Sequence, residues 1–232
     1  MTSPSDMPAR RGEPRAPEPC VLLTGFEPFD GECVNPSREV VLALDGESIA
    51  AHRVVGAVLP VSFAATLPLL DDLLERHRPV LVVALGQAGG RSDITLERVA
   101  INLVDARIPD ADGLQPVDAA VIEGAPFACA TRLPVKAIVA RLRAIGIPAA
   151  LSLSAGSYVC NQVFFALAHA LETRLPGARG GFVHLPWLPQ QAACHAGQPS
   201  MSLATMVEGV REAIACSIAN PRDLHVAGGA TH

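Results

Sequence analysis

Short apolar runs alternate with amphipathic segments along most of the chain. The apolar runs are a few residues long and are bounded by glycine, proline or polar residues, as is typical of buried strands. They predict strands at residues 20–25, 52–61, 79–86 and 147–154, and residues 179–189 predict a strand that leads into a proline-rich loop. The amphipathic segments place apolar side chains three or four positions apart, which predicts helices. These helices are expected at residues 35–46, 62–77, 134–146, 157–175 and 202–219.

Local signals mark the ends of several helices. Asn35 is a candidate cap for the first helix, Pro36 suits its first turn, and Gly46 marks its end. In the second helix, Pro68 is expected to introduce a kink, because proline removes a backbone hydrogen bond.

The regular alternation of strands and helices predicts the fold class. It is typical of a single three-layer α/β/α domain, with a mainly parallel, twisted sheet and helices on both faces. Residues 92–108 predict one long or two short strands, and residues 109–131 predict a loop with a short strand. Such a long loop is expected to form a functional cover or an interface.

We expect the domain to cover residues 20–218. Residues 1–19 are rich in proline, arginine, glutamate and serine, which predicts a disordered leader because such a segment buries too little apolar surface to fold. Residues 219–232 are expected to form a loose tail. The leader has no apolar core of the kind found in secretory signals, which favours a cytoplasmic location.

The composition excludes several classes of function. No apolar run approaches the ~18 residues that a membrane span requires. The net charge is −5 and aromatic residues make up 4% of the chain, which argues against binding to nucleic acid or to an anionic membrane surface. The six cysteines are widely and irregularly spaced, and none forms a Cys-x-x-Cys pair. The sequence therefore predicts no zinc site, no other metal site and no disulfide framework.

Cys160 stands at the start of the very apolar helix 157–175, in the stretch "SAGSYVCNQ". A helix N-terminus supplies unpaired N–H groups and a partial positive charge, which favour a thiolate and can hold an oxyanion. Free cysteine is also among the residues most often buried in cores. The sequence around Cys160 leaves both interpretations open.

His184 lies near the end of the next predicted strand. If residues 147–185 form one right-handed strand–helix–strand unit, the two strands are parallel and their carboxyl ends share an edge of the sheet. Cys160 and His184 would then meet as nucleophile and base.

Glu97 is an acidic residue within an otherwise apolar strand. A buried carboxylate is rare unless it is paired. Glu97 could orient the His184 imidazole, as the third member of a triad does, or form an ion pair with Arg91, Arg98 or Arg107. Composition alone does not separate these two roles.

Four stretches together resemble the pyroglutamyl-peptidase I family, also called pyrrolidone-carboxylate peptidases. They are "TGFEPFDGECVNPS" (24–37), "GQAGGRSDITLERVAINLVDARIPDADG" (86–113), "SAGSYVCNQVFF" (154–165) and "GGFVHLPWLPQQ" (180–191). The resemblance implies a cytosolic cysteine peptidase, an omega peptidase that hydrolytically removes N-terminal pyroglutamate from peptides and proteins through a thioester acyl-enzyme. It implies no metal, no cofactor, and a homodimer or homotetramer.

The resemblance also assigns site residues. The catalytic positions of the family match Cys160, His184 and Glu97. Arg107 matches a family arginine near the nucleophile with an oxyanion or structural role. The positions that hold the pyroglutamyl ring match Phe26, Phe29, Gln87, Ile108, Tyr158 and Val159.

Three positions depart from the family pattern. Asp30 stands where the family often has glycine, Tyr158 where it commonly has phenylalanine, and Trp187 where it commonly has tyrosine. Tyr158 adds a hydroxyl group at the edge of the expected pocket.

Three other functions are compatible with parts of the sequence. A glutamine amidotransferase-like hydrolase would also pair Cys, His and Glu, but glycines usually flank its nucleophile. A nucleotide-binding module could use "GQAGGRSD", although that loop lacks the G-x-G-x-x-G spacing and a G-K-[ST] ending. A catalytically dead scaffold is the third, and the filled triad positions give no reason to prefer it.

Overall fold

The computed structural model describes residues 18–229, so most of the predicted leader, residues 1–17, and the end of the tail, residues 230–232, lie outside the described residues. The strands are β1 (Cys20–Phe26), β2 (Ser48–Ile49), β3 (His52–Leu59), β4 (Leu81–Gln87), β5 (Ile94–Glu97), β6 (Val99–Ile101), β7 (Ala128–Ala130), β8 (Ala149–Ser152) and β9 (Arg179–Leu185). The helices are α1 (Pro36–Leu44), α2 (Thr66–His77), α3 (Val135–Ala144), α4 (Val159–Thr173), α5 (Pro189–Ala192) and α6 (Leu203–Ala219).

Seven strands form one mixed, mainly parallel sheet, in the order β2-β3-β1-β4-β9-β5-β8. Within β4, Leu81, Val83 and Leu85 pack into one buried core, whereas Val82 and Ala84 pack into another. The first core includes side chains of α1, α3 and α6, and the second includes side chains of α2 and α4. Since helices cover both faces of the sheet, the predicted three-layer α/β/α architecture is confirmed.

The predicted parallel unit of residues 147–185 is wrong. β8 is parallel to β5, but β5 is antiparallel to β9, so β8 and β9 run in opposite directions on either side of β5. The cause lies upstream, because residues 88–93 alone connect β4 to β5. A parallel crossover needs roughly a dozen residues or more, so β5 reverses direction and β8 follows it.

Several predicted helix boundaries hold and others shift. Asn35 is confirmed as the cap of α1, because its Oδ1 accepts a hydrogen bond of 3.0 Å from the Ser37 N–H. Helix α2 begins at Thr66 rather than at residue 62. Pro68 therefore falls in the first turn, where its missing N–H would have no helical partner. The two short elements β2 and α5 were not predicted.

The segment between β6 and α3 is mostly loop, as predicted, with the short strand β7 near its end. β7 pairs with β6 in a separate two-stranded sheet. Two residues hold the loop together: Asn102 bonds the backbone of Ile122, and Asp110 accepts from the N–H groups of Phe63 and Leu114. Ala119, Val121 and Ile122 of the loop pack into the same core as side chains of α4, so the loop lies on the same side of the sheet as that helix.

Residues 220–229 form neither helix nor strand, although Asp223 accepts hydrogen bonds from the N–H groups of Lys136 and Ala137 at the start of α3. None of the helices within residues 18–229 is both long and apolar enough to cross a bilayer.

Candidate active site

Cys160 is the second residue of α4, and its sulfur lies over β4. The first helical hydrogen bond of α4 runs from the Gln162 N–H to the Tyr158 carbonyl, at 3.1 Å. The N–H groups that precede it, including that of Cys160, have no partner within the helix. A Cβ atom added to Gly86 would lie 2.9 Å from the Cys160 Sγ. The glycine in β4 therefore makes the space that the sulfur occupies.

His184 lies in β9, directly beside that position. Gly86 and His184 are partners in the parallel pairing of β4 with β9. The His184 side chain is buried, and its Nδ1 lies 2.8 Å from Glu97 Oε1. Since the carboxylate accepts from Nδ1, the hydrogen bond assigns Nε2 as the nitrogen with a free lone pair. Within the part of the chain that the structure describes, no hydrogen bond joins the Cys160 thiol to His184.

Glu97 is fully buried, and one of its carboxylate oxygens accepts hydrogen bonds from two side chains. Its Oε1 accepts from His184 Nδ1 and, at 2.7 Å, from Arg91 Nη1. Arg91 also donates to the Thr95 hydroxyl and to the Ser154 carbonyl. The sequence left open whether Glu97 pairs with an arginine or orients the histidine, and the structure places it in contact with both Arg91 and His184.

The protonation states of Glu97 and His184 follow from their burial and from their hydrogen bonds. Burial opposes ionisation of Glu97, but its hydrogen bonds with His184 and Arg91 lower the pKa of the carboxyl below its ordinary value. Burial lowers the pKa of His184, and the neighbouring Glu97 carboxylate only partly opposes this. At neutral pH the imidazole is therefore neutral and can accept a proton, while Glu97 is ionised.

The expected lowering of the thiol pKa at the helix N-terminus is wrong. Burial, followed by the negative charge of Glu97, raises the pKa of Cys160 to about 12, and the Arg91 cation opposes this. Desolvation of the sulfur against Gly86 and Phe182 outweighs the helix terminus. Cys160 and His184 thus form a neutral thiol beside a neutral imidazole, so a thiolate requires proton transfer to the histidine.

A narrow pocket opens beside the sulfur, and we call it the inner pocket. It is lined by Phe26, Phe29, Asn35, Val61, Gln87, Tyr158, Val159 and Cys160. Its volume of about 10 Å³ is space for roughly one water molecule. Five of the six residues predicted to hold a ring meet here, and Ile108 is the exception. The sequence did not identify Asn35 or Val61 as pocket residues, because Asn35 carries a strong capping signal and Val61 reads as the end of a strand.

A second, wider cavity, the outer cavity, continues from the inner pocket. Its volume is about 440 Å³, and it shares Phe29, Gln87 and Tyr158 with the inner pocket. Ile108 and Arg107 line this outer cavity. The site predicted from sequence is therefore divided into two adjoining spaces.

The hydroxyl group that distinguishes Tyr158 has a partner in the long loop. It donates a hydrogen bond of 3.0 Å to the Pro109 carbonyl. Burial raises the pKa of Tyr158 to about 12, so the hydroxyl stays protonated and keeps this bond. The centroid of its ring lies 6.3 Å from that of Phe29, in a stacked arrangement, and 5.1 Å from that of Phe63, in an edge-on arrangement. Tyr158 thus ties the wall shared by both spaces to the long loop.

Comparisons with known proteins agree over nearly the whole chain. A family model described as pyroglutamyl peptidase matches residues 20–220. The chain is 54% identical over 212 residues to the pyrrolidone-carboxylate peptidase of Klebsiella pneumoniae (strain 342), covering 91% of this chain and 99% of that protein. It is 51% identical over 214 residues to pyrrolidone-carboxylate peptidase 1 of Ralstonia nicotianae, covering 92% and 100%.

Solved structures show the same likeness. The pyroglutamyl peptidase I of Bacillus amyloliquefaciens superposes with a TM-score of 0.88 at 41% identity, covering 90% of this chain and all of that one. The pyrrolidone carboxyl peptidase of Thermococcus litoralis superposes with a TM-score of 0.87 at 38% identity, covering 90% and 99%.

Proposed function

Because this chain belongs to the pyroglutamyl peptidase family of cysteine-type hydrolases, we propose that it removes N-terminal pyroglutamate from peptides through a Cys160–His184–Glu97 triad. The observation that carries this proposal is the buried chain of hydrogen bonds from Arg91 through Glu97 to His184. This series of hydrogen bonds ends beside the sulfur of Cys160, at the inner pocket, whose walls are largely apolar.

The inner pocket suits a neutral lactam ring better than a charged amine. Its walls include the side chains of Phe26, Phe29 and Val61, which can cover the ring. Gln87 supplies a placed polar group: its Oε1 accepts from Gln191 Nε2 at 2.9 Å, which leaves its NH₂ group to donate to the lactam carbonyl. A site of this kind rejects analogues that lack the matching polar group.

Entry of the ring requires the inner pocket to widen. A five-membered lactam is larger than the space for about one water molecule that the pocket contains. Phe29 and Tyr158 are the two aromatic side chains of the wall that are partly exposed, so their side chains are the ones that move outward as the lactam ring enters. Burial of the ring then excludes water from the sulfur.

The reaction proceeds by acyl transfer in two stages. His184 Nε2 takes the proton of the Cys160 thiol, and the sulfur attacks the pyroglutamyl carbonyl carbon. The free N–H groups at the start of α4 stabilise the oxyanion. The imidazolium then protonates the leaving amine, the C–N bond breaks, and a thioester remains on Cys160. Water, deprotonated by His184, hydrolyses the thioester and releases pyroglutamate and the thiol.

A pair of fluorogenic amides tests this substrate assignment. We expect the protein to hydrolyse the pyroglutamyl amide and to leave the prolyl amide essentially uncleaved, because proline lacks the ring carbonyl and carries a charged nitrogen. Initial rates at equal substrate concentration measure the preference. Equal hydrolysis of the two amides, or hydrolysis of glutamine in place of both, would refute the assignment.

Gly86→Ala is expected to reduce this activity strongly, by about 10²-fold or more, because a misplaced reacting atom is costly. The added methyl group would lie 2.9 Å from the Cys160 sulfur and 2.8 Å from Phe182, so the nucleophile must shift. Steady-state kcat/KM measures the loss. Gly177→Ala is the matched control, since its new Cβ would meet no atom within 4 Å. Equal activity in the two variants would show that the sulfur is not confined by Gly86.

We also propose that the enzyme acts in the cytoplasm as a homodimer or homotetramer, without a metal or cofactor. Exposed apolar side chains on the long loop, such as Val117 at 66% and Phe127 at 72% exposure, support self-association. Sedimentation velocity of the purified protein would measure its oligomeric state.

A further inference from the structure

The outer cavity adjoins the inner pocket and is lined by more exposed residues. The two spaces share Phe29, Gln87 and Tyr158. If the pyroglutamyl ring fills the inner pocket and its carbonyl carbon lies beside Cys160, the rest of the peptide must leave that pocket toward wider space. One extended residue spans about 3.5 Å, so the residue after pyroglutamate falls within the outer cavity. Its volume of about 440 Å³ is within the range of small-ligand sites.

The charged groups around this cavity are mostly acidic. The carboxylates of Asp30, Glu32 and Asp105 line it together with one guanidinium, that of Arg107. Three carboxylates face one guanidinium, so the potential within the cavity is negative. A cationic side chain would be attracted here, and an acidic one repelled.

Glu32 belongs to a fixed wall of the outer cavity. Its Oε1 lies 3.2 Å from His195 Nε2, and its Oε2 lies 3.3 Å from Gln191 Nε2. The His195 ring stacks on Trp187 at 4.2 Å, and Trp187 packs against Gly89 so closely that a Cβ there would clash. This wall is preorganised, and its carboxylate already has partners.

Asp30 and Asp105, by contrast, are exposed and have no ion-pair partner within residues 18–229. Asp30 lies in a turn and has a left-handed backbone with φ of 52°. We propose that the outer cavity binds the residue that follows pyroglutamate, and that Asp30 and Asp105 make the enzyme prefer lysine or arginine over glutamate there. This inference rests on the proposed function.

Three compounds test the preference: pyroglutamyl-lysine amide, pyroglutamyl-alanine amide and pyroglutamyl-glutamate amide. Chromatography of the released amino-acid amide gives kcat/KM for each compound. At about 10 mM ionic strength we expect the lysine compound to exceed the glutamate compound by roughly fivefold, as exposed charge pairs allow. The ratio should shrink toward one at about 1 M salt, because screening weakens exposed charge interactions.

Two substitutions locate the source of the preference. Asp30→Asn and Asp105→Asn remove one charge each, and asparagine tolerates the left-handed backbone of position 30. The double variant should lower the ratio of lysine to glutamate to about one, with the alanine compound as the internal reference in every protein. Glu75→Gln on α2 removes an exposed charge outside the cavity and should leave the ratio unchanged.

The outcomes separate this inference from the function on which it rests. Hydrolysis of all three compounds without a charge preference, or a preference that survives the double variant, would overturn the role of the outer cavity alone. Failure to hydrolyse any of the three would overturn the proposed function together with it.

Discussion

Cys160→Ala should abolish pyroglutamyl hydrolysis, with a fall in kcat/KM of at least about 10³-fold, since removal of a catalytic nucleophile leaves only the contribution of binding. Cys160→Ser should be nearly as inactive, because a hydroxyl is harder to deprotonate than a thiol. Each variant should retain the circular dichroism spectrum and thermal midpoint of the parent, since neither alanine nor serine is larger than cysteine and neither would crowd Gly86. Initial rates with a pyroglutamyl amide provide the measurement.

Chemical labelling gives an independent form of the same prediction. A helix N-terminus that lowered the pKa of Cys160 would favour its labelling by iodoacetamide before the other cysteines. The structure reverses that order, because Cys33 and Cys194 are exposed whereas burial raises the pKa of Cys160 to about 12. We therefore expect early labelling of Cys33 and Cys194 without loss of activity, and inactivation only as Cys160 is modified.

A double variant, Cys33→Ser and Cys194→Ser, serves as the control and should keep full activity. Mass spectrometry of partly inactivated samples would follow each site. Activity that survives complete labelling of Cys160, or an active Cys160→Ala protein, would rule out this cysteine as the nucleophile.

Much of the fold follows from local patterns in the sequence. The apolar runs of β1 and β4 and the capping asparagine of α1 depend on neighbours in the chain, so they were predictable. The direction of β5 depends on how short the connection from β4 is, and a strand pattern carries no direction. This is why the antiparallel pairing of β5 with β9 was missed.

The candidate site, like the fold, could be predicted only in part from the sequence. Cys160, His184 and Glu97 stand out in the sequence by residue type and by family resemblance. Their protonation states do not, because the pKa of a thiol depends on burial by residues such as Gly86 and Phe182, which are distant in the chain. The helix terminus near Cys160 was visible in the sequence, whereas the desolvation that outweighs it arises only from tertiary packing.

His184→Ala should lower kcat/KM by about 10³-fold, as expected for loss of a general base and acid. Glu97→Gln should cause a smaller loss, because an amide oxygen can still accept from Nδ1 and hold the ring. Both rates are compared at pH 7 with a pyroglutamyl amide. Equal losses would indicate that Glu97 does more than position the histidine.

The pH dependence of kcat/KM distinguishes the roles of the charges around His184. The imidazole accepts the thiol proton only when neutral, and burial lowers its pKa below the ordinary value of about 6.5. Activity should therefore persist below that pH and fall as the pH drops through the lowered pKa of His184. Burial opposes ionisation of Glu97, but its hydrogen bonds with His184 and Arg91 lower its pKa below the ordinary value, which favours the charged carboxylate.

Two neighbouring substitutions should move this acidic limb in opposite directions. The Arg91 cation lowers the pKa of His184, so Arg91→Gln should shift the limb to higher pH; the Glu97 carboxylate raises that pKa, so Glu97→Gln should shift it to lower pH. A merely structural role would reduce the rate at every pH without moving the limb. If the limb stays in place in both variants, or moves in the same direction in both, the group that titrates in it is not a histidine held between Arg91, Glu97 and Cys160.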